Sequence, residues 1–310
     1  MRILLIVAVL TLPTLLPAEK KQLPGGKVLP HDKYIHVVSE AESPIEQVYI
    51  RSKDGMYVAA AVRKPKGAGP FPALIHFHGA PSGRGMEKLV TWARGDDGGP
   101  MWERFLSEGF AVIVADYRNL GFRVSIPDAE MATYVDDGLA VVEWARQQPY
   151  IDANKIFAYG VSLGGNLTAH LIGRTKLAGA VLGAPAVFEF LSVERPPRGS
   201  GSAPDSAAAP PPLQYDPQVA KKNIEAMQCP VLLLVGTKDS LIRVDELFHD
   251  EAMKAGKTVT MLIYENGYHD FVMGPQGHAG REEPLLDATL DALDKTVEWA
   301  KARAGIQPAR

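Results

Sequence analysis

The sequence predicts an α/β protein with a mainly parallel, doubly wound sheet led by an antiparallel hairpin. Continuous apolar runs at 73–78, 110–115 and 231–236 are typical of strands that are covered on both faces. Segments with apolar residues at helical spacing, such as 136–148 and 285–303, separate strands of this kind. Strands that alternate with helices favour a parallel sheet with right-handed crossovers.

The bulk composition narrows the class of protein further. The chain has 310 residues, of which 46% are hydrophobic and 22% charged, which suits one large core. The net charge of −3 comes without a run of Lys or Arg, so we expect no nucleic-acid partner. The single cysteine, Cys229, excludes an intrachain disulfide and a Cys-rich metal site. Composition leaves the oligomeric state open.

Residues 1–18 predict a secretory signal peptide. Arg2 precedes an apolar run at 3–16, which is shorter than the roughly 20 residues that a bilayer span requires. We expect cleavage after Ala18, a secreted or periplasmic protein, and no stable membrane span afterwards. An uncleaved N-terminal anchor is the alternative, because Leu16 at the −3 position is atypical of a cleavage site.

The folded domain is predicted to span 45–304, after a linker and N-terminal extension at 19–44. Two strands near 45–51 and 56–63, joined by a glycine-containing turn, form the leading hairpin. A segment rich in Pro, Gly, Ser and Ala at about 190–215 buries too little apolar surface to order itself, which predicts a flexible insertion. The insertion is either a lid over a substrate pocket or a passive loop.

The strongest motif is a G-x-S-x-G sequence, with Gly160, Ser162 and Gly164 at its fixed positions. It lies between a strand-like piece at 156–159 and a helix-compatible segment at 166–172. A sharp strand-to-helix turn predicts strained backbone at the serine and an exposed hydroxyl. The two glycines lack a Cβ, so strand and helix can approach closely, and the first N–H groups of the helix point toward the serine. The motif also occurs by chance, so its context carries the prediction.

A serine hydroxyl needs a base within hydrogen-bond reach and an acid that orients the base. In doubly wound sheets such groups gather at the carboxyl ends of the strands. Asp239 follows an apolar strand by a few residues, and we predict it as the acid that acts with Ser162. The alternative is that Asp239 only caps the next helix. Asp245 is the reserve candidate.

The base is predicted to be His269, in the loop after the next strand. Gly267 is expected to free the backbone, so that the imidazole can reach over the sheet edge. His278 nearby is the alternative histidine. Asp270 is a weaker partner than Asp239, because adjacent side chains point apart.

The negative charge of an acyl-transfer intermediate requires backbone donors. We predict the N–H of Leu163 as one donor of an oxyanion hole, and the N–H of Ala80 as the second, with Gly79 next in preference. His78 is expected to brace this loop rather than to move protons. No cluster of His, Asp or Glu has metal-ligand spacing and no phosphate-binding glycine loop follows a strand, so we predict no metal and no cofactor.

Taken together, these segments resemble an α/β-hydrolase of the prolyl-oligopeptidase and dienelactone-hydrolase-like group, over roughly 45–303. Five stretches carry the resemblance: Ala73-Leu-Ile-His-Phe-His-Gly-Ala-Pro81, Phe105-Leu-Ser-Glu-Gly-Phe-Ala-Val-Ile-Val-Ala-Asp-Tyr-Arg118, Asp136-Asp137 through Pro149-Tyr-Ile-Asp-Ala-Asn-Lys-Ile-Phe-Ala-Tyr-Gly-Val-Ser-Leu-Gly-Gly165, Gly236-Thr-Lys-Asp239 and Tyr268-His-Asp-Phe271. The resemblance implies the α/β-hydrolase fold and a Ser/Asp/His triad, and it implies the substrate much less specifically.

Three departures from the group favour an esterase over a peptidase. Leu163 stands where the peptidases often have Tyr, Ala80 replaces the second glycine of the usual loop, and only about 45 residues precede the sheet, where a gating domain is usual. We therefore expect a small-molecule ester as the substrate. A peptidase for short peptides is the first alternative, and a non-catalytic binding protein with this fold is the second.

Overall fold

The computed structural model describes residues 20–23, 38–80, 83–95, 101–118, 128–194, 212–269, 271–273 and 284–306. The predicted signal peptide, the centre of the predicted insertion (195–211), His278 and Asp270 lie outside these ranges.

Nine strands in the described residues form one sheet with the order β1-β9-β8-β7-β6-β4-β5-β3-β2. The strands are β1 Lys20–Leu23, β2 Glu46–Arg51, β3 Tyr57–Arg63, β4 Phe71–Phe77, β5 Ala111–Ala115, β6 Ile151–Val161, β7 Gly179–Gly183, β8 Val231–Gly236 and β9 Val259–Tyr264. The β2–β3 and β3–β5 pairs are antiparallel and the others are parallel. The predicted class and the leading hairpin are therefore confirmed.

Helices cover both faces of this sheet. They are α1 Met86–Ala93, α2 Met101–Ser107, α3 Asp128–Arg146, α4 Leu163–Leu171, α5 Phe188–Leu191, α6 Pro217–Glu225, α7 Ile242–Lys254 and α8 Pro284–Ala304. Buried side chains of α3, α4, α6 and α7 join one apolar cluster, and those of α1, α2 and α8 join the other. Among the helices in the described residues, none combines the length with the hydropathy that a bilayer span requires.

The continuous apolar strands have a direct physical cause. Successive side chains of a strand point to opposite faces, and here each face meets a different cluster. In β8, Leu233 and Val235 pack into one cluster, while Leu232 and Leu234 pack into the other. A polar residue at any of these four positions would be buried without solvent, so the strand is apolar throughout.

Two segments differ from the sequence-based expectation. Lys20–Leu23, within the predicted linker, forms the edge strand β1 and pairs in parallel with β9. Its sequence, Lys-Lys-Gln-Leu, carries no pattern that predicts a strand. Backbone pairing with β9 is sufficient to hold an edge strand of this kind. Residues at both ends of the predicted insertion are also bonded: Val193 bridges Tyr215, and Glu194 N donates to Gln214 O at 2.9 Å.

Candidate active site

Ser162 lies between β6 and α4 in a strained backbone conformation, with φ 53° and ψ −115°. A positive φ at a residue other than glycine costs on the order of 1–3 kcal/mol and persists only where its surroundings enforce it. Here Ser162 N donates to Gly183 O at 3.1 Å, while Ser162 O accepts from Ala186 N at 2.9 Å and from Asn166 N at 3.1 Å. The predicted strained turn is confirmed.

Two glycines allow the three elements around the serine to pack backbone against backbone. A Cβ on Gly164 would lie 2.0 Å from Phe77 O and 2.5 Å from His78 O, at the end of β4. A Cβ on Gly160 would lie 2.2 Å from Gly164 O and 2.4 Å from Thr168 Oγ1. Neither position has room for a side chain, which confirms the close approach predicted from the motif.

The structure brings Ser162, His269 and Asp239 into one hydrogen-bonded chain. His269 Nε2 lies 3.0 Å from Ser162 Oγ. His269 Nδ1 lies 3.0 Å from Asp239 Oδ2 and 3.2 Å from Oδ1. An ionised carboxylate only accepts hydrogen bonds, so Nδ1 carries the ring proton and Nε2 can accept the serine proton. The Asp239 side chain is fully buried, whereas the His269 side chain is 41% exposed.

Asp239 does not cap the following helix. The N-cap position of α7 is Leu241, and no side chain caps it. The Asp239 carboxylate does accept a hydrogen bond from Leu241 N at 2.9 Å. This bond and the imidazole together fix the carboxylate in one orientation.

Gly267 positions the histidine loop for a different reason than the one predicted. The positive φ in this loop belongs to Asn266, at 61°. Gly267 is needed because its backbone crosses Gly236: a Cβ on Gly267 would lie 2.9 Å from Gly236 Cα, and a Cβ on Gly236 would lie 2.2 Å from Gly267 O. Lys238 N donates to Gly267 O at 2.8 Å. The acid loop and the base loop are therefore joined directly, which sets the distance from Asp239 to His269.

The reserve candidate, Asp245, does not reach the imidazole. Its side chain is fully buried on the first turn of α7, and neither carboxylate oxygen has a hydrogen-bond partner within the described ranges. Burial, followed by the nearby charge of Asp239, raises the pKa of Asp245 well above its ordinary value. Burial therefore favours the protonated form of this carboxyl.

The predicted oxyanion donors flank the serine on two sides. Leu163 is the first residue of α4. On the other side, the Gly79 backbone lies so close that a Cβ there would be 3.3 Å from Ser162 Cβ and 4.0 Å from Ser162 Oγ. Ala80 has no positive φ, so the alanine adopts this loop conformation without backbone strain. Both Gly79 and Ala80 remain candidates for the second donor.

His78 braces the loop, as predicted. Its Nε2 lies 3.1 Å from Asp116 Oδ1, and its ring stacks on Tyr117 with centroids 4.8 Å apart. Tyr117 Oη donates to His78 O at 2.7 Å. Asp116 also accepts from the backbone N–H groups of Gly83 and Gly85 at 2.9 and 2.8 Å.

Sequence reasoning missed the bracing role of Asp116. Burial alone would raise the pKa of the Asp116 carboxyl, but the hydrogen bond and charge of His78, with backbone donors, lower it below its ordinary value. The sequence signal that could have found Asp116 is its position directly after the buried strand β5, which resembles the position of Asp239 after β8. A carboxylate at that edge can gather several loop N–H groups.

The sheet order, the strand-to-helix turn at Ser162 and the hydrogen-bonded Ser/His/Asp chain define an α/β-hydrolase. A family model described as the prolyl oligopeptidase family matches residues 101–288, which is more than half of the chain. The chain belongs to this family.

Solved structures of esterases share the fold. Thermogutta terrifontis esterase 2, phosphorylated by paraoxon, aligns with a TM-score of 0.61 and 21% identity, over 86% of this chain and 96% of that one. A provisionally assigned dienelactone hydrolase from Klebsiella pneumoniae aligns with a TM-score of 0.58 and 20% identity, over 83% and 98% of the two chains. At this level of identity the likeness concerns the fold.

A curated relative matches a shorter stretch. The quorum-quenching protein AidA of Acinetobacter baumannii is 29% identical over 124 residues. The match spans 39% of this chain and 38% of AidA, so it covers less than two-fifths of the relative's length.

Proposed function

We propose that the protein is a serine hydrolase that cleaves carboxylic esters through an acyl-enzyme intermediate. The observation that carries this proposal is the continuous hydrogen-bonded chain from Ser162 Oγ through His269 to Asp239, with distances of 3.0 Å at both links. A nucleophile, a base and an orienting acid in this geometry form the general device for activating a serine. Membership of the prolyl oligopeptidase family and the esterase neighbours support the same reaction class.

In the proposed reaction, His269 Nε2 takes the Ser162 proton as Oγ attacks the ester carbonyl. The resulting imidazolium keeps its Nδ1–H on Asp239, whose buried carboxylate stabilises it. When the tetrahedral intermediate collapses, the imidazolium gives its proton to the departing alcohol. Water then enters, loses a proton to His269, and releases the acid from Ser162 by the same steps in reverse.

The oxyanion of the intermediate is proposed to bind between α4 and the loop after β4. Leu163 supplies one N–H, and the first turn of α4 adds the positive end of the helix dipole. Ala80 supplies the second N–H, with Gly79 as the next choice. Removal of one such donor in other enzymes costs about 10²–10³ in kcat, so the rigid brace around this loop is important for the rate.

Ser162→Ala is the direct test. The loss of activity toward p-nitrophenyl acetate should reach several orders of magnitude, because the nucleophile is gone while the fold is kept. A fluorophosphonate probe should label the parent chain at Ser162 and fail to label the variant. Ser107→Ala is the matched control, because that exposed hydroxyl donates to Arg104 O at the end of α2. Nearly full turnover by Ser162→Ala would refute the assignment.

The family name favours a second candidate, a peptidase for short peptides. The esterase and the peptidase would use the same catalytic residues, so only the preferred substrate, an ester or a peptide amide, distinguishes them. We expect esters of short acids to be cleaved much faster than the matching aminoacyl amides. Equal turnover of ester and amide by the purified protein would favour the peptidase, and absence of both activities would favour a binding protein.

Residues 1–18 are proposed to direct export, with cleavage after Ala18, which would place the enzyme outside the cytoplasm. Residues 45–304 are proposed to be the catalytic domain, with an insertion at about 190–215 that serves as a lid or as a passive loop. The mass and first residue of the chain recovered from an exporting host test the first point. Recovery of an intact residue 1 would contradict cleavage.

A further inference from the structure

The imidazole of His78 lies between two hydrogen-bond acceptors. Its Nε2 lies 3.1 Å from Asp116 Oδ1, and its Nδ1 lies 2.7 Å from the carbonyl oxygen of Gly79. A neutral imidazole has one nitrogen that donates and one that accepts, whereas the protonated ring donates from both. A peptide carbonyl only accepts, so the contact with Gly79 O requires a proton on Nδ1. The charge of the ring therefore depends on whether Asp116 is a carboxylate.

Backbone donors on both oxygens of Asp116 favour the carboxylate. Oδ1 accepts from the N–H groups of Gly83 and Tyr117 at 2.9 and 2.8 Å, and Oδ2 accepts from Gly85 N at 2.8 Å. Hydrogen bonds that a carboxylate accepts stabilise its charged form. Burial raises the pKa of Asp116, but the hydrogen bond and charge of His78, with the backbone donors, bring that pKa below its ordinary value. A carboxylate only accepts, so Nε2 carries a proton as well.

These contacts make His78 an imidazolium ion inside the protein. Its side chain has no exposed surface, and the Asp116 carboxylate at 3.1 Å compensates its charge. The ring stacks on Tyr117 with centroids 4.8 Å apart, and the centroid of the Trp92 ring lies at 5.3 Å. Aromatic rings at such distances attract a cation. The surroundings of the ring therefore suit a positive charge.

The Nδ1 bond fixes the peptide unit that joins Gly79 to Ala80. This peptide is trans, so its C=O and its N–H point in opposite directions within one plane. With Gly79 O held on the His78 ring, the Ala80 N–H points away from that ring. The Gly79 backbone lies against the serine, since a Cβ there would be 3.3 Å from Ser162 Cβ. A charge-assisted bond to the carbonyl also polarises the amide, which strengthens its N–H as a donor.

We propose that His78 is a buried imidazolium that orients and polarises the Ala80 N–H as the second donor of the oxyanion hole. This selects Ala80 over Gly79. His78 is a positioning residue: its two protons stay on the ring, and it acts on the oxyanion through the peptide unit between Gly79 and Ala80. The inference rests on the proposed ester hydrolysis, because the oxyanion forms only during acyl transfer.

The charge is tested by ¹⁵N NMR of the intact chain at pH 7. Both ring nitrogens of His78 should have the chemical shift of a protonated nitrogen and a one-bond coupling to a proton. The resonances are assigned through contacts of the ring protons with the Tyr117 ring, so this measurement requires neither a variant nor turnover. A ring nitrogen of His78 without a proton would overturn the proposal.

The positioning role is tested by ester turnover. His78→Gln should lower kcat for p-nitrophenyl acetate by about 10²–10³, the cost of one oxyanion-hole donor. KM should stay within about threefold of the parent, because the lost interaction is made only in the transition state. His78→Asn, whose amide nitrogen can take the place of Nδ1, should recover part of the lost kcat. His249→Gln is the matched control, because it removes another buried histidine beside a carboxylate, Asp250, and it should leave kcat unchanged.

The possible outcomes separate the parts of the proposal. A folded His78→Gln with parental kcat, or with a loss confined to KM, would overturn the positioning role. Equal losses of kcat in His78→Gln and His78→Asn would overturn the assignment of the bond to Gly79 O. A parent chain without ester turnover would refute the proposed function instead, and the ring resonances would still decide the charge of His78.

Discussion

Replacement of Gly164 by alanine tests how the serine turn is built. The new Cβ would lie 2.0 Å from Phe77 O and 2.5 Å from His78 O, whereas Cβ contacts under 3.0 Å are essentially never observed. The carbonyl of Phe77 must therefore move by at least 1 Å relative to α4. Both clashing atoms are backbone, so no side-chain rotation relieves the contact.

The displacement should reduce activity more than stability. Phe77 and His78 lead directly into Gly79, whose backbone lies against Ser162, so the shift separates the loop from the nucleophile. A misplacement of 1 Å can cost about 10²-fold in rate, and we expect kcat/KM for p-nitrophenyl acetate to fall about a hundredfold or more. Overpacking costs roughly 1–3 kcal/mol, offset in part by the gain of about 1 kcal/mol for Ala over Gly in a helix.

Gly138→Ala is the matched control, because Gly138 also lies inside a helix. Its Cβ would meet Leu171 Cδ1 at 3.0 Å, the movable end of a side chain. Activity of this variant should stay within about threefold of the parent, with little change in the midpoint of thermal unfolding. The reasoning fails if Gly164→Ala keeps parental kcat/KM and an unchanged unfolding midpoint.

Three further outcomes are expected. Asp239→Asn should lower kcat by about 10³–10⁴. Asp245→Asn should keep ester turnover and raise the free energy of unfolding at pH 7, because burial raises the pKa of Asp245 and the variant no longer has to take up a proton on folding; the reverse pattern in paired assays would exchange the roles of the two residues. Burial, followed by the charge of Arg174, lowers the pKa of His170 from 6.5 to about 4. This residue favours the folded state above pH 6.5 and loses that contribution as pH falls, so urea unfolding should show about 2 kcal/mol less stability at pH 5 than at pH 7, a loss that is absent in a His170→Gln variant; an equal loss in both chains would contradict this. Arg63→Met should lower the free energy of unfolding by about 3–5 kcal/mol, because it removes a buried arginine 3.6 Å from Glu103. A double variant with Glu103→Gln should recover part of that free energy. No recovery in denaturant titrations would mean that loss of the ion pair is not the cause.

Local patterns in the sequence were sufficient for the sheet class, the strained serine and the order of the three candidate residues. Each of these follows from short-range chemistry. Continuous apolar runs predict strands covered on both faces. The glycines around Ser162 predict a turn that leaves no room for a side chain at their positions. The positions of Asp239 and His269 directly after two strands are also readable, because parallel strands end at one edge.

Contacts between distant segments decided the rest. The distance between Asp239 and His269 depends on how the loop at Gly267 crosses Gly236, and no pattern in either loop contains that information. The edge strand β1 exists because β9 offers it backbone partners. Such features depend on packing between residues far apart in the chain, whereas the class of fold and the serine turn depend on neighbours in sequence.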